Sequence, residues 1–203
     1  MGVDRQGWDE RYAAREQTFV RDPNWLVVKE VDGLSPGRAL DVATGEGRHV
    51  VWLAANGWQV AAVDFSPVGV LRAAARARQE GRRVAFAVAD VYALRLPPEC
   101  FDLVLISFFH PPPEERRTFY PAVAATLASG GRLVQVSYDV ANATEGTGGP
   151  RDPAMLVDPP VVAAQLQALG LTVNRADTVR LRTPTPDGEE VDVVDAIISA
   201  SKR

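Results

Sequence analysis

The chain reads as one α/β domain: a seven-stranded, mostly parallel sheet with helices on both faces and a C-terminal antiparallel hairpin. Three observations carry that reading. From Arg38 onward, short apolar runs alternate with segments of helical length, the order that produces right-handed βαβ crossovers and parallel pairing. Glycine and proline mark the places where helices stop and start. After the last helix come two β-type segments with Asp187-Gly188 between them, a strong hairpin signal.

Taken in order, residues 1–37 form an N-terminal helical cap, and residues 38–203 form the core. Trp8, Tyr12 and Phe19 lie at loose helical spacing, residues 24–31 read as a second helix, and Pro36-Gly37 breaks the chain. Residues 39–42 are a buried strand, and residues 47–56 a helix closed by Gly57. Residues 59–63 are the second strand. The helix over 67–80 has Pro67 at its start and Gly81 after its end. Strands follow at 84–88 and 103–107, then a helix over 114–127 stopped by Ser129-Gly130-Gly131. The fifth strand covers 132–138 and the last helix 160–169; residues 171–182 and 191–199 make the hairpin.

Composition narrows the function. The 203 residues are 46% hydrophobic and 24% charged, the balance of a soluble globular domain. A net charge of −4 repels a phosphate backbone, which argues against nucleic acid as a partner. The single cysteine, Cys100, cannot form an internal disulfide, and with only His49 and His110 beside it no metal site is expected. The polar start and the lack of an apolar run approaching roughly 20 residues predict no leader, no membrane partner and a cytoplasmic location.

The first strand runs into Asp41-Val42-Ala43-Thr44-Gly45-Glu46-Gly47-Arg48. Glycines between a buried strand and a helix let backbone approach a ligand closely. A dinucleotide fingerprint read from Gly45 fails at its third glycine, which falls on Val50. Asp41 and Glu46 would also repel a pyrophosphate in a low-dielectric cleft. A ligand bearing a sulfonium and an ammonium, such as S-adenosylmethionine, suits them better. Asp64 ends the second strand, 19 residues after Gly45, where a carboxylate can accept ribose hydroxyls. Asp90 ends the third, where it can accept an adenine amino group beneath Val91. Each Asp alone could be a turn former. Three successive strands ending in an acid, all at the edge where such sheets bind ligands, point to a site.

With Trp8-Asp9-Glu10-Arg11-Tyr12, Val63-Asp64-Phe65-Ser66, Ala89-Asp90-Val91, Phe101-Asp102-Leu103-Val104 and Ser129-Gly130-Gly131-Arg132-Leu133, these residues give the chain its resemblance to a family. It resembles class I S-adenosylmethionine-dependent methyltransferases, in particular the small bacterial branch of the tellurite-resistance and thiopurine-methyltransferase-like types. The resemblance implies a Rossmann-like fold and methyl transfer from S-adenosylmethionine to a small molecule, releasing S-adenosylhomocysteine. It implies cofactor contacts from Asp41, Ala43, Thr44, Gly45, Gly47 and Arg48, from Asp64 and Phe65, from Asp90 and Val91, and from Ser107. Trp8 and Tyr12 would belong to an N-terminal helix folded over the cofactor. Ala43 stands where many members carry glycine; alanine is small, so the close approach is expected to survive if its φ stays negative.

On the substrate side, Phe108, Phe109, Tyr138 and Arg151 are the candidate contacts and His110 the candidate general base. One of the two phenylalanines is expected to pack the core, and a solvated Arg151 is the blander alternative. His49 reads as a loop-side or exposed residue, and Arg72, Arg76 and Arg78 as an exposed helix face. The loop over 139–159, with Gly146, Gly148 and Gly149, reads as a mobile cover. A cofactor-binding protein without catalysis and an NAD-type oxidoreductase are the competing readings, and a monomer or homodimer is expected.

Overall fold

The computed structural model describes residues 4–185 and 187–203. Two helices open the described chain, α1 (Arg5–Ala13) and α2 (Trp25–Val31). The core then alternates β1 (Arg38–Val42), α3 (Arg48–Ala55), β2 (Gln59–Asp64), α4 (Pro67–Gln79), β3 (Val84–Val88), β4 (Phe101–Ser107), α5 (Arg116–Thr126) and β5 (Leu127–Tyr138). It ends with the single turn α6 (Asn142–Glu145), α7 (Pro159–Ala168), β6 (Thr172–Pro184) and β7 (Glu190–Ser201). The strands lie in the order β3-β2-β1-β4-β5-β7-β6. β1 to β5 pair in parallel, and β7 pairs antiparallel with β5 on one side and β6 on the other. The hairpin is therefore folded back, with its second strand inserted between the parallel sheet and its first.

Burial explains that insertion. β7 carries the nearly unbroken apolar run Val193-Val194-Asp195-Ala196-Ile197-Ile198, buried on both faces as an interior strand must be. β6 alternates apolar and charged residues and stays half exposed, as an edge strand does. Two cores sandwich the sheet. On one face Leu26, Val27, Val50 and Leu53 from α2 and α3 pack on Ala39, Leu103, Leu105, Val134, Val136 and Ile197. On the other, Phe119, Tyr120, Val162 and Leu166 from α5 and α7 pack on Leu40, Val104, Ile106, Leu133 and Ile198. Strand alternation thus assigns odd residues of β1, β4 and β7, and even residues of β5, to the α3 face.

The structure moves two expected boundaries. The Ser129-Gly130-Gly131 stop lies inside β5, because Leu127 already pairs with Phe101 before a register shift. A Cβ at Gly131 would stand 2.8 Å from the Ala128 carbonyl oxygen, so glycine permits the bend. The 139–159 segment carries α6 and the 3-10 turn Pro153–Met155. No helix among the described residues is long and apolar enough to cross a membrane.

Candidate functional site

The turn after β1 has positive φ at every second residue: Ala43 (56°), Gly45 (54°) and Gly47 (77°). Ala43 thus does not keep the negative φ on which the expected close approach depends. The chain must reverse from β1 into α3 within five residues, and Thr44 N–H is pinned to the Val63 carbonyl at 3.0 Å. A Cβ at Gly47 would stand 2.7 Å from the Ala73 Cβ, so this glycine lets α3 close on α4.

Asp41, the penultimate residue of β1, is almost fully buried. Its Oδ2 accepts from Thr44 Oγ1 at 2.7 Å, and its Oδ1 has no partner. Burial pushes its carboxyl up to about 7, against the Thr44 hydrogen bond. Asp64 ends β2 and accepts Gly45 N–H at 2.8 Å and Ser66 N–H at 2.9 Å. Burial raises its carboxyl while those two backbone bonds lower it. Asp64 therefore stitches the β1 turn to the β2 turn. Glu46 accepts from Thr18 N–H at 3.0 Å, Phe19 N–H at 3.2 Å and Arg72 Nη1 at 2.8 Å. It anchors the cap and is spent on that. Arg72 and Arg76 also donate to the carbonyls of Glu16 and Arg21, so the expected solvated face of α4 instead grips the N-terminal segment.

α1 lies over this turn, fixed by Ser66 Oγ donating to Asp9 Oδ1. The Tyr12 hydroxyl reaches within 2.8 Å of where a Gly45 Cβ would stand. Burial raises the Tyr12 phenol, with Asp64 and Glu46 adding to the effect. Trp8, Tyr12 and Phe19 pack ring to ring at 5.4 to 6.4 Å, under the Arg11 guanidinium. Phe65 is half-buried beside Asp64. Asp90 is exposed and accepts Tyr92 N–H at 2.9 Å as a turn cap, and Val91 packs against the core.

A second group lies along the same edge. Asp41, Ser107, Tyr138 and Asp195 all fall on the α3 face. Asp41 is level with Leu105, two residues before Ser107; Ser107 is level with Val136, two before Tyr138; Tyr138 pairs with Asp195. The result is a diagonal of polar side chains across four strands, beside Arg48 in the first turn of α3. Asp41 Oδ1, Arg48 Nε, Ser107 Oγ and Asp195 Oδ1 are four of the seven buried side-chain polar atoms without a partner among the described residues. Buried polar atoms are paired almost everywhere in folded proteins, so such a cluster marks a place built to meet something else. Burial lowers the Arg48 guanidinium, while Asp195, Tyr138 and Asp41 pull it back up.

Phe108 holds a φ of 52°, rare for a bulky residue and characteristic of functional turns. The twist sends consecutive phenylalanines to opposite faces. Phe109 packs against Phe119 at 5.2 Å and Tyr92 at 6.0 Å, within the α5 core, which removes it from the candidate substrate contacts. Phe108 meets Tyr138 edge-on at 5.1 Å and lies 5.8 Å under the Arg48 guanidinium.

His110 does not sit as a general base. Its Nε2 accepts Tyr138 N–H at 3.2 Å, its ring stacks on Tyr138, and burial lowers its imidazole to about 4. A neutral imidazole has one acceptor nitrogen, and here the backbone uses it. His49 is buried, not exposed; its Nε2 accepts Asn24 N–H at 3.2 Å at the start of α2. Arg151 is exposed and makes no hydrogen bond or ion pair among the described residues, which matches its solvated alternative. The 139–159 segment is pinned rather than loose. Val194 N–H donates to Asn142 Oδ1 at 2.9 Å, Thr147 N–H to the Asp192 carbonyl at 2.8 Å, and Arg116 Nη2 to the carbonyls of Ala154 and Leu156. Gly148 and Gly149 lie on the Tyr138 ring.

Sequence reasoning missed Asp195. An acid inside an apolar strand run was the available signal, and it was absorbed into the hairpin.

Residues 39–131 match a family described as "Methyltransferase domain". The chain is 35% identical over 106 residues to a demethylmenaquinone methyltransferase of Thermus thermophilus, covering 51% of this chain and 48% of that protein. The match thus spans about half the length of that curated relative. Among solved structures, S-adenosylmethionine-dependent methyltransferase from Methanosarcina mazei superposes with a TM-score of 0.71 at 18% identity, covering 89% of this chain and 98% of that one. TehB from Haemophilus influenzae superposes with a TM-score of 0.71 at 14% identity, covering 97% and 67%. The fold expected from the sequence is the fold these structures share.

Proposed function

Because the chain carries a methyltransferase domain of the class I, S-adenosylmethionine-dependent kind, we propose that it transfers a methyl group to a small-molecule acceptor and releases S-adenosylhomocysteine. The observation that carries this is the row of unpaired buried polar atoms beside the Ala43–Gly47 turn, at the carboxyl edge of β1 and β4. The donor set there is rich in carboxylate, which suits a cationic ligand with free hydroxyls and opposes a pyrophosphate.

When bound, S-adenosylmethionine supplies a methyl group on a sulfonium already activated for displacement. The residues then have to bind, orient and exclude water. Asp41, with Oδ1 free, accepts the ammonium, while Ala43, Thr44, Gly45, Gly47 and Arg48 frame the amino-acid end. Asp64 keeps lone pairs beyond its two backbone bonds for ribose hydroxyls, beside Phe65. Asp90 and Val91 take the base, and Trp8 and Tyr12 cover the turn. Ser107 completes the cofactor contacts, and Phe108 and Tyr138 face the acceptor. His110 positions Tyr138 rather than moving a proton. The acidic chain favours a small metabolite over nucleic acid, and we read it as a cytoplasmic protein acting as a monomer or homodimer.

Calorimetry with S-adenosylmethionine, S-adenosylhomocysteine and NAD tests the reading. Micromolar binding of the first two and none of NAD is expected; binding of NAD alone would refute it. Asp41→Asn should weaken S-adenosylmethionine by about tenfold or more, the loss of one hydrogen bond to a charged group, and adenosine much less. Equal losses for both ligands would show that Asp41 only shapes the turn.

A further inference from the structure

Asp195 makes no hydrogen bond and no ion pair among the described residues, yet it is 1% exposed. Its strand neighbours on the same face, Val193 and Ile197, are buried and apolar. Any aliphatic side chain would satisfy that position for packing alone. A buried carboxylate with no hydrogen-bond partner instead costs free energy that the charge of nearby Arg48 offsets only in part, so its presence needs another reason. Asp139, nearby, shows what a structural acid looks like here: Oδ1 accepts Ala141 N–H at 2.8 Å and Oδ2 accepts Thr178 Oγ1 at 2.7 Å. Asp195 has no such partners.

Its surroundings define what it could meet. Tyr138 lies directly across the ladder, Phe108 stands edge-on to Tyr138, and the Arg48 guanidinium caps Phe108. Ser107 Oγ, also unpaired, lies on the same face in β4, two strands from Asp195 and next to the strand of Tyr138. One unpaired carboxylate oxygen thus lies on the same face as Tyr138 and its partner Phe108, within the electrostatic reach of Arg48. We propose that Asp195 is the proton acceptor for the methyl acceptor, and that this acceptor is a planar aromatic compound bearing a hydroxyl group.

The inference rests on the methyl-transfer reading and extends it to the acceptor. The acceptor's O–H donates to Asp195 Oδ1. As that proton passes to the carboxylate, the acceptor oxygen uses the freed pair to bond the methyl carbon. The carbon–sulfur bond breaks with its pair going to sulfur, leaving a neutral thioether, and the Asp195 proton returns to water after release. Burial pushes the Asp195 carboxyl up to about 7, with Asp139 raising it and Arg48 lowering it, which suits a group that takes and returns a proton near neutrality. Gly148 and Gly149 cover Tyr138, so acceptor entry requires the pinned 146–149 turn to break its hydrogen bonds from Thr147 N–H to the Asp192 carbonyl and from Asn142 Nδ2 to the Gly148 carbonyl.

The test holds the protein saturated with S-adenosylhomocysteine and measures binding of 2-naphthol and of its methyl ether, 2-methoxynaphthalene, by calorimetry. The expected result is at least tenfold tighter binding of the hydroxyl compound. Asp195→Leu should erase that preference in protein that still binds S-adenosylhomocysteine. Asp195→Asn, the isosteric variant, guards against misfolding and should keep part of the preference, since its amide oxygen still accepts. Equal binding of the two compounds, a preference that survives in Asp195→Leu, or no binding of either at millimolar concentration would overturn the inference. Failure to bind S-adenosylhomocysteine would instead strike the methyl-transfer reading.

Discussion

Replacing Asp195 by asparagine removes a buried acid that titrates in a different range when the chain is folded. Its carboxyl is raised from 3.8 to about 7, chiefly by burial, with Asp139 adding and Arg48 opposing. Tyr138 faces it across the ladder, its phenol raised above the working range. A raised folded pKa means the native protein holds this proton after the unfolded chain has released it. Stability therefore falls as pH climbs from about 4 to about 7, and this loss is complete above the folded value. With those two values, the carboxyl should cost about 3 kcal/mol more at pH 7.5 than at pH 4.5. Water penetration would reduce that figure. Asp195→Asn has no such proton to hold. Urea unfolding of both proteins at pH 4.5 and 7.5 should show the variant gaining on the wild type as pH rises, by about 1–3 kcal/mol. Taking the difference cancels every other carboxyl common to both, Asp41 included. A wild-type-minus-variant difference that stays flat across the range would show that Asp195 is solvated or paired, and that its burial has been misread.

Ala43→Gly should raise Tm slightly: a left-handed alanine costs about 1–2 kcal/mol, and the floppier unfolded glycine returns about 0.4–1 of it. A fall in Tm by scanning calorimetry would mean the lost methyl packs well enough to outweigh its backbone strain. Asp64→Asn leaves one of the Gly45 and Ser66 N–H groups facing an amide NH₂, so about 1.5–3 kcal/mol of stability should go together with S-adenosylmethionine affinity. Urea titration and calorimetry on the same protein check both losses, and unchanged affinity in a folded variant removes Asp64 from the cofactor site. Gly149→Ala meets φ +71° and places a Cβ 2.5 Å from Tyr138 Cδ2, so the turn must shift at a cost of about 1–2 kcal/mol or more. Turnover should fall while S-adenosylmethionine affinity holds; unaltered turnover would separate this turn from the acceptor site.

The sequence by itself determined the alternation of strands and helices, the glycine turn after β1, and the acids closing β1, β2 and β3. Those are local signals: apolar period, caps and turn formers act within a few residues, and the structure keeps most of them within a residue or two, except β5, which starts five residues before the expected 132. It also held the clue to strand order, since the unbroken apolar run at 193–198 against the alternation at 172–184 tells interior from edge. Only the tertiary structure decided what the side chains meet. His110 looked like a base until Tyr138 N–H, 28 residues away, took its lone pair. His49 looked like a loop-side or exposed residue, and Glu46 like a charge facing the ligand, until the N-terminal cap folded onto them. Phe108 and Phe109 could not be told apart until a left-handed residue turned them to opposite faces. Asp195 is the sharpest case. Its meaning depends on the absence of a partner inside a packed core, and whether a buried carboxylate is paired is settled by strand register across the sheet, which no stretch of sequence contains.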